Sequence, residues 1–507
     1  MIHLFLFVGM LSIINPLPRL FKPTAKEILS RFQYTIFLYI LRVYFNKTIM
    51  KKLSTFLLCI WVLQVNAQNV EIWLTKTDKS VLFQKQSNTL NFDKISNTSP
   101  SIYVDDAKKF QQIDGFGYTL TGGSTQLLSQ MNAVERAKIL KELFATDENN
   151  IGVSYLRISV GASDLDDHIF SYNDLPTGET DPKLTKFSLV EDKKHLIPVL
   201  KEILAINPKI KILGSPWSPP AWMKTNNNSK GGSLKSEFYG VYAQYLVKYI
   251  KEMKREGILI DALTIQNEPL HPGNNPSLLM LQDSQASFVK NNLGPAFKLA
   301  KISTKILIYD HNADRPDYPI SILNDTEARK YIDGSAFHLY GGNVENIRSV
   351  HEAHPDKNLY FTEQWIGAPG NFAGDFSWHI KNLVIGASRN WCKTVLEWNL
   401  ASDPKQSLHT DGGCTECLGA ITIGQNITRN PAYYIIAHAS KFVRPNSVRI
   451  ASNIIMSLPN VAFKTPSGKT VLIVQNEGVK TQEFNIRYHN KQVTTTLDAG
   501  SVSTYVW

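Results

Sequence analysis

The sequence is poor in charge. Only 19% of its 507 residues are Asp, Glu, Lys or Arg, while 43% are apolar. That places the chain far from the low-hydrophobicity, high-charge regime of disorder. No short-period repeat or low-complexity tract occurs, and no GxGxxG or GxxxxGK[ST] follows the first strand pattern. The usual nucleotide-binding reading is thereby removed. Cysteine is scarce, with four residues. Long apolar runs are missing too: Ile2–Ile14, Tyr34–Tyr44 and Leu53–Val65 all fall short of the roughly 20 residues a membrane span needs. The length suits one large domain of roughly 250 residues or more and a smaller one.

Positive charge is present, but it is concentrated. The formal net charge is +10, and +7 of it lies in residues 1–67. The remaining 440 residues carry only +3, with no basic cluster interleaved with aromatics. A nucleic-acid partner is therefore not expected. Met50 opens MKKLSTFLLCIWVLQVNAQ, with Lys51 and Lys52 before an apolar stretch and Val65-Asn66-Ala67 before a cut. This pattern predicts a signal peptide at 50–67, cleaved near Ala67, and a secreted or periplasmic protein with no stable membrane anchor. Cys59 has no small residue before it, which argues against a lipoprotein anchor. Residues 1–49 precede a complete leader and read as an over-extended start; a membrane hairpin is the alternative.

From about Gln111 to Leu400, short apolar runs alternate with amphipathic stretches. The strand candidates are Ile113–Leu120, Val153–Val160, Ile210–Pro216, Ala262–Gln266, Lys305–Asp310, Ser335–Tyr340, Leu359–Glu363 and Thr394–Trp398. Helical spacing marks Val134–Phe144, Lys194–Ile206, Phe238–Glu256 and Ser284–Leu299. Eight such repeats predict an α/β fold, a (β/α)8 barrel over 109–440. Val70–Val104 and Phe442–Trp507 alternate apolar and polar residues, with Pro466-Ser467-Gly468 as a turn. They predict a β-sandwich built from 68–108 and 441–507.

Barrel active sites lie at the C-terminal ends of the strands. The fourth run leads into Gln266-Asn267-Glu268-Pro269, and the seventh ends Phe361-Thr362-Glu363-Gln364-Trp365. Two carboxylates facing one cleft are what glycoside hydrolysis requires, one to protonate the leaving oxygen and one to attack the anomeric carbon. Trp217, Tyr340 and Trp398 stand at strand ends, where aromatic rings can pack on sugar C–H faces. Arg157 can hold the nucleophile ionised. Asp310 and His311 can steady the cleft or the acid. Cys414 and Cys417 are spaced as a CxxC; export favours a disulfide, while a metal would need two more ligands that no nearby His/Cys pair supplies. Cys392 reads as a buried thiol. No cofactor or metal is required.

These motifs resemble glycoside hydrolase family 30, the glucosylceramidase-like retaining enzymes. The resemblance rests on GFG at 115–117, YLRIS, SPWSPPAWMKTN at 215–226, GSLK at 232–235, TIQNEP, HLY, FTEQW and EWNLASDP at 397–404. It implies a (β/α)8 barrel with a β-sandwich from both termini. It further implies Glu268 as acid/base, Glu363 as nucleophile, Asn267 on the sugar 2-hydroxyl, and Trp217 and Trp398 around the reacting sugar; Arg157, His338 and Tyr340, placed at strand ends, are expected to bind substrate. The expected substrate is a β-linked glycoside or glycan, with a glucosylceramidase-like β-glucosidase as the main expectation. An endo-β-1,6-glucanase is the alternative, followed by β-xylosidase or β-fucosidase. Both glutamates and Asn267 argue against a barrel that only binds sugar. One departure stands out: Gly122 occupies the place of an Asp that the family uses on the outer hydroxyls of glucose.

Overall fold

The structure is a computed structural model. It describes residues 34–36, 69–93 and 97–507. The expected leader at 50–67, its cleavage point and the rest of 1–49 lie outside these residues. Gln68–Trp507 forms one compact unit.

Eight parallel strands close a barrel: β1 (Gly115–Thr119), β2 (Tyr155–Ser159), β3 (Lys211–Ser215), β4 (Ala262–Thr264), β5 (Lys305–Asn312), β6 (Ile332–His338), β7 (Asn358–Glu363) and β8 (Cys392–Asn399). Strands buried on both faces read as largely apolar runs, which made them legible. Inward side chains recur every second residue. Tyr155, Leu213, Ala262, Leu307, Ala336, Tyr360 and Leu396, one from each strand after β1, form a packed inner layer. Two residues further on, nearer the C-terminal mouth, stand Arg157, Ser215, Thr264, His338, Thr362 and Trp398. The same alternation thus fills the lower barrel with apolar groups and the upper barrel with polar ones.

Helices cover the outside. The helix Ala133–Phe144 begins at Asn132, whose side chain accepts from the Val134 N–H, and buries Ile139, Leu140, Leu143 and Phe144. The expected helix at 284–299 is interrupted: Gln282–Phe288 and Gly294–Ala300 are joined by a π turn at Val289–Leu293. Pro295 follows the turn and has no N–H for the regular i→i−4 ladder.

Ala401–Ser402, Ile421–Ile423 and Ile427–Arg429 form a small three-stranded sheet, and ten further strands form a sheet folded into a sandwich. Its long strand Ser101–Gln112 pairs with Gln482–Tyr488 near its start and with Val448–Ser452 further on, so it joins both layers. That strand runs four residues past the expected boundary at 108. Strand Thr470–Gln475 is buried throughout. Leu472 and Val474 enter the sandwich core, while Val471 and Ile473 join the barrel core. The sheet is therefore sealed onto the barrel by its own alternation. Among the described residues, no helix is long and apolar enough to cross a membrane.

Candidate active site

Arg157 organises the barrel mouth. It is fully buried, and its guanidinium donates from Nη1 to Glu363 Oε2 at 2.5 Å. From Nη2 it donates to Asn267 Oδ1 at 2.7 Å, Asp310 Oδ2 at 2.8 Å and Ser215 Oγ at 3.1 Å. Its cationic face lies 4.7 Å from the Trp217 ring and 5.8 Å from that of Trp398. The two indoles pack together at 5.5 Å between centroids. Buried charges of this kind are tolerated only when each is paired and hydrogen-bonded.

His338 links the two glutamates. Nδ1 lies 3.2 Å from Glu268 Oε1 and 3.7 Å from Glu363 Oε1, while Nε2 meets Asp310 Oδ1 at 3.1 Å. Both carboxylate oxygens therefore lie within 3.7 Å of one nitrogen, so they are less than about 7 Å apart. A separation of about 5–5.5 Å suits direct attack, and about 6.5–9.5 Å leaves room for a water. Tyr340 donates its hydroxyl to Glu363 Oε1 at 3.0 Å, and Asn274 Nδ2 donates to Glu268 Oε2 at 3.2 Å.

Burial and charge set the proton affinities. Burial alone would lower the His338 imidazole, but Glu363, Asp310 and Glu268 overcome it and raise the group to about 9. Burial works to raise Glu268, yet the hydrogen bond and charge of His338 hold it below the usual glutamate value. Glu363 stays above that value, because burial and its acidic neighbours outweigh His338 and Arg157. Asp310 is held far below the carboxylate range; burial opposes this, but Arg157 and His338 prevail. Burial lowers His311 to about 4, so it is neutral.

Irregular backbone brings these groups together. Tyr309 and Asp310 have φ of 73° and 63°, and Glu268 has 45°. These left-handed values are costly for residues other than glycine and persist where surrounding structure enforces them. The β5–β6 register skips Asp310, the β6–β7 register skips Thr362 and the β8–β1 register skips Trp398. Such bulges re-aim side chains. At β5 the bulge turns Asp310 inward to Arg157 and leaves the next residue, His311, beside Glu268, where Nδ1 is 3.8 Å from Oε1.

A cleft of about 480 Å³ lies above this network. Trp217, Glu268, Tyr340, Glu363 and Trp398 line it, with Arg157, Asn267 and His338 directly beneath. Cys414 and Cys417 form a disulfide in its wall. Cys392 is a buried free thiol elsewhere. Residues not singled out from sequence also face the cleft: Asp164, His271, Asn274, Asn312 and Trp365. Asn312 is the last residue of β5, and the others lie in loops after strands, where no periodic pattern marks them.

The surroundings of Gly122 show what stands near its missing side chain. Gly122 is not part of the cleft lining. A Cβ there would stand 1.6 Å from Asp166 Oδ1, and Oδ2 of that carboxylate accepts from Ser163 N and Oγ at 2.7 and 2.8 Å. The carboxylate that reaches the cleft is Asp164. Burial, with Glu363 and Glu268 nearby, pushes it up to about 7. The absent side chain at 122 makes room for the Asp166 carboxylate, and Asp164 supplies an acid to the cleft.

Two sequence profiles match this chain: the glycosyl hydrolase family 30 TIM-barrel domain over residues 113–443, and the family 30 β-sandwich domain over 446–505. The chain belongs to glycoside hydrolase family 30. Among its family 30 relatives, an endo-1,6-β-D-glucanase of Aspergillus fumigatus is 32% identical over 411 residues, 75% of this chain and 82% of the relative. The lysosomal acid glucosylceramidase of Mus musculus is 27% identical over 431 residues, 79% of this chain and 82% of that one. A solved endo-β1,6-glucanase superposes with a TM-score of 0.81 at 34% identity, covering 87% of this chain and 99% of its own. The chain is thus a glycosidase of family 30 with a glycan-type substrate.

Proposed function

We propose that this family 30 enzyme is a retaining endo-β-1,6-glucanase. The observation that carries this choice is the polarity beside Glu268. His271, Asn274, His311 and Asn312 surround it, and none of the described residues lining the cleft has an aliphatic side chain. A leaving sugar finds hydrogen-bond partners there, whereas the two alkyl chains of a ceramide would meet no aliphatic surface beside Glu268. The relatives named as endo-1,6-β-glucanases, at 32–34% identity, favour the same choice over the glucosylceramidase reading.

In the first step a Glu363 oxygen attacks C1 of the sugar, and the C1–O bond breaks. Glu268 gives its proton to the departing oxygen, leaving a covalent glycosyl–Glu363 ester. In the second step Glu268 takes a proton from water, the water oxygen attacks C1 and Glu363 leaves, so the β configuration is kept. Glu268 can be charged through His338. In the open cleft the two form an ion pair. A sugar that expels water penalises that pair, and moving the proton from Nδ1 to Oε1 yields a neutral imidazole and the neutral acid. Arg157 and Tyr340 hold Glu363 for in-line attack. Trp217 and Trp398 form an aromatic wall, and Asp164 offers a carboxylate to the outer hydroxyls of the bound glucose.

The test is purified protein on linear β-1,6-glucan, glucosylceramide and an aryl β-glucoside. The expected result is rapid loss of polymer length, mixed oligosaccharides, and a β-anomer first by NMR. Faster cleavage of glucosylceramide, or an α-anomer first, overturns the reading. We also place the protein outside the cytoplasm, on the strength of its leader and its disulfide. N-terminal sequencing of exported protein should begin at Gln68.

A further inference from the structure

Glu268, His311 and His338 bring three metal-ligating side chains to one point. All are buried, and their donor atoms lie within 4.8 Å of one another. Nδ1 of His338 and Nδ1 of His311 are 3.2 and 3.8 Å from the same oxygen, Oε1 of Glu268. Nitrogen and oxygen ligands held about 2.0–2.2 Å from a tetrahedral zinc ion stand about 3.4 Å apart. Two observations go beyond proximity. Nδ1 of His311 has no hydrogen-bond partner although it is buried. Nε2 of His338 meets Asp310 Oδ1 at 3.1 Å, the carboxylate–histidine arrangement that orients metal-bound imidazoles. Glu268 and His311 also line the cleft, which leaves a fourth position open to solvent.

We propose that these three side chains form a site for a zinc-like divalent cation that switches the enzyme off. Two imidazole nitrogens and one carboxylate suit zinc and its borderline neighbours; magnesium and calcium take oxygen ligands. The cation replaces the proton held between His338 Nδ1 and Glu268 Oε1, and that proton leaves to solvent. Glu363, Asp310 and Asp164 surround the position with further carboxylates, so a second positive charge is electrostatically favoured there. A ligated Glu268 cannot protonate a leaving oxygen. The inhibition rests on the part proposed above for Glu268; the binding does not.

The experiment titrates chelator-treated protein with zinc chloride alone by calorimetry and with cobalt chloride alone by visible absorption. One ion per chain, a tetrahedral cobalt spectrum, and zinc inhibition of β-1,6-glucan hydrolysis that is competitive and reversed by EDTA are expected. His311→Ala and Glu268→Gln should each weaken zinc binding by about tenfold or more. Thermal melts check that each variant is folded, and His311→Gln repeats the test with a polar side chain in place. Absence of one-to-one binding overturns the proposal, as does wild-type affinity in the variants, which puts the ion elsewhere. Zinc binding with the expected variant pattern but no turnover of any glycan supports the site and removes the activity proposed above.

Discussion

Both ends of the barrel hold buried acid, and they treat it differently. At the N-terminal end Asp114 meets Lys211 at 2.9 Å, Lys393 at 3.6 Å and Lys305 at 3.9 Å. Those lysines reach water, with side-chain exposures of 28, 12 and 35%. At the C-terminal end Arg157, Asp310 and His338 are wholly buried, and Glu268 and Glu363 nearly so. Three carboxylates there share two cations. Asp261 and Asp333 share these lysines with Asp114, so acids and cations are matched there, and with the cations solvated the charge is quenched. Where buried acids outnumber cations, a proton has to be shared and can be moved. The difference separates a structural plug from a reacting centre, although both use the same few residue types.

The contrast can be broken most directly at the reacting end. Glu363→Gln should lower kcat on β-1,6-glucan by roughly a thousandfold or more, because no glycosyl ester forms. Turnover within tenfold of wild type would erase the distinction. Glu268→Gln should cost about 10²–10⁴-fold, and much less on an activated aryl glucoside whose leaving group needs no proton.

Paired substitutions sharpen the comparison. Asp310→Asn leaves Arg157 and His338 short of an acid in a dry site, and urea denaturation should show a loss of about 3–5 kcal/mol. Asp114→Asn should cost about 1 kcal/mol and leave kcat unchanged, since its lysines remain hydrated. A smaller effect follows from pH. His338 is raised from 6.5 to about 9 in the folded chain. The stability it adds is complete below pH 6.5 and lost as pH rises through 9. Melting temperatures in alkaline buffers should fall for the wild type and flatten for His338→Gln. Asp310 has the opposite sign, with its stability complete above its ordinary value of 3.8 and lost progressively as pH falls below it. The smallest effect is expected for Lys305→Gln, within about 0.5 kcal/mol.

The barrel was legible because most strands are largely apolar runs ending in polar residues; Glu363 closes one of them, and Glu268 follows the end of another by four residues. The first barrel strand, Gly115–Thr119, falls inside the expected Ile113–Leu120. What stayed hidden depends on backbone irregularity. Strict alternation from Leu307 points Tyr309 inward, and only the bulge at Asp310 reverses it. Nothing in the spelling of YDHN discloses left-handed residues. Asp164 stayed hidden because it sits in a loop. The bridge from His338 to both glutamates joins three strands, which a linear pattern does not reveal.

The pairing of Asn69–Thr75 with Val502–Val506 has a consequence for biosynthesis. Glu71 finds its partner Val506 only after about 430 further residues have been made. At about 5–20 residues per second, a ribosome needs roughly twenty to ninety seconds for that stretch. Throughout that interval Val70, Ile72 and Trp73 have no last strand to lie against. The nascent chain must be kept from sticking to its neighbours until the final strand arrives, and a stall late in translation would release a chain with its sheet edge open.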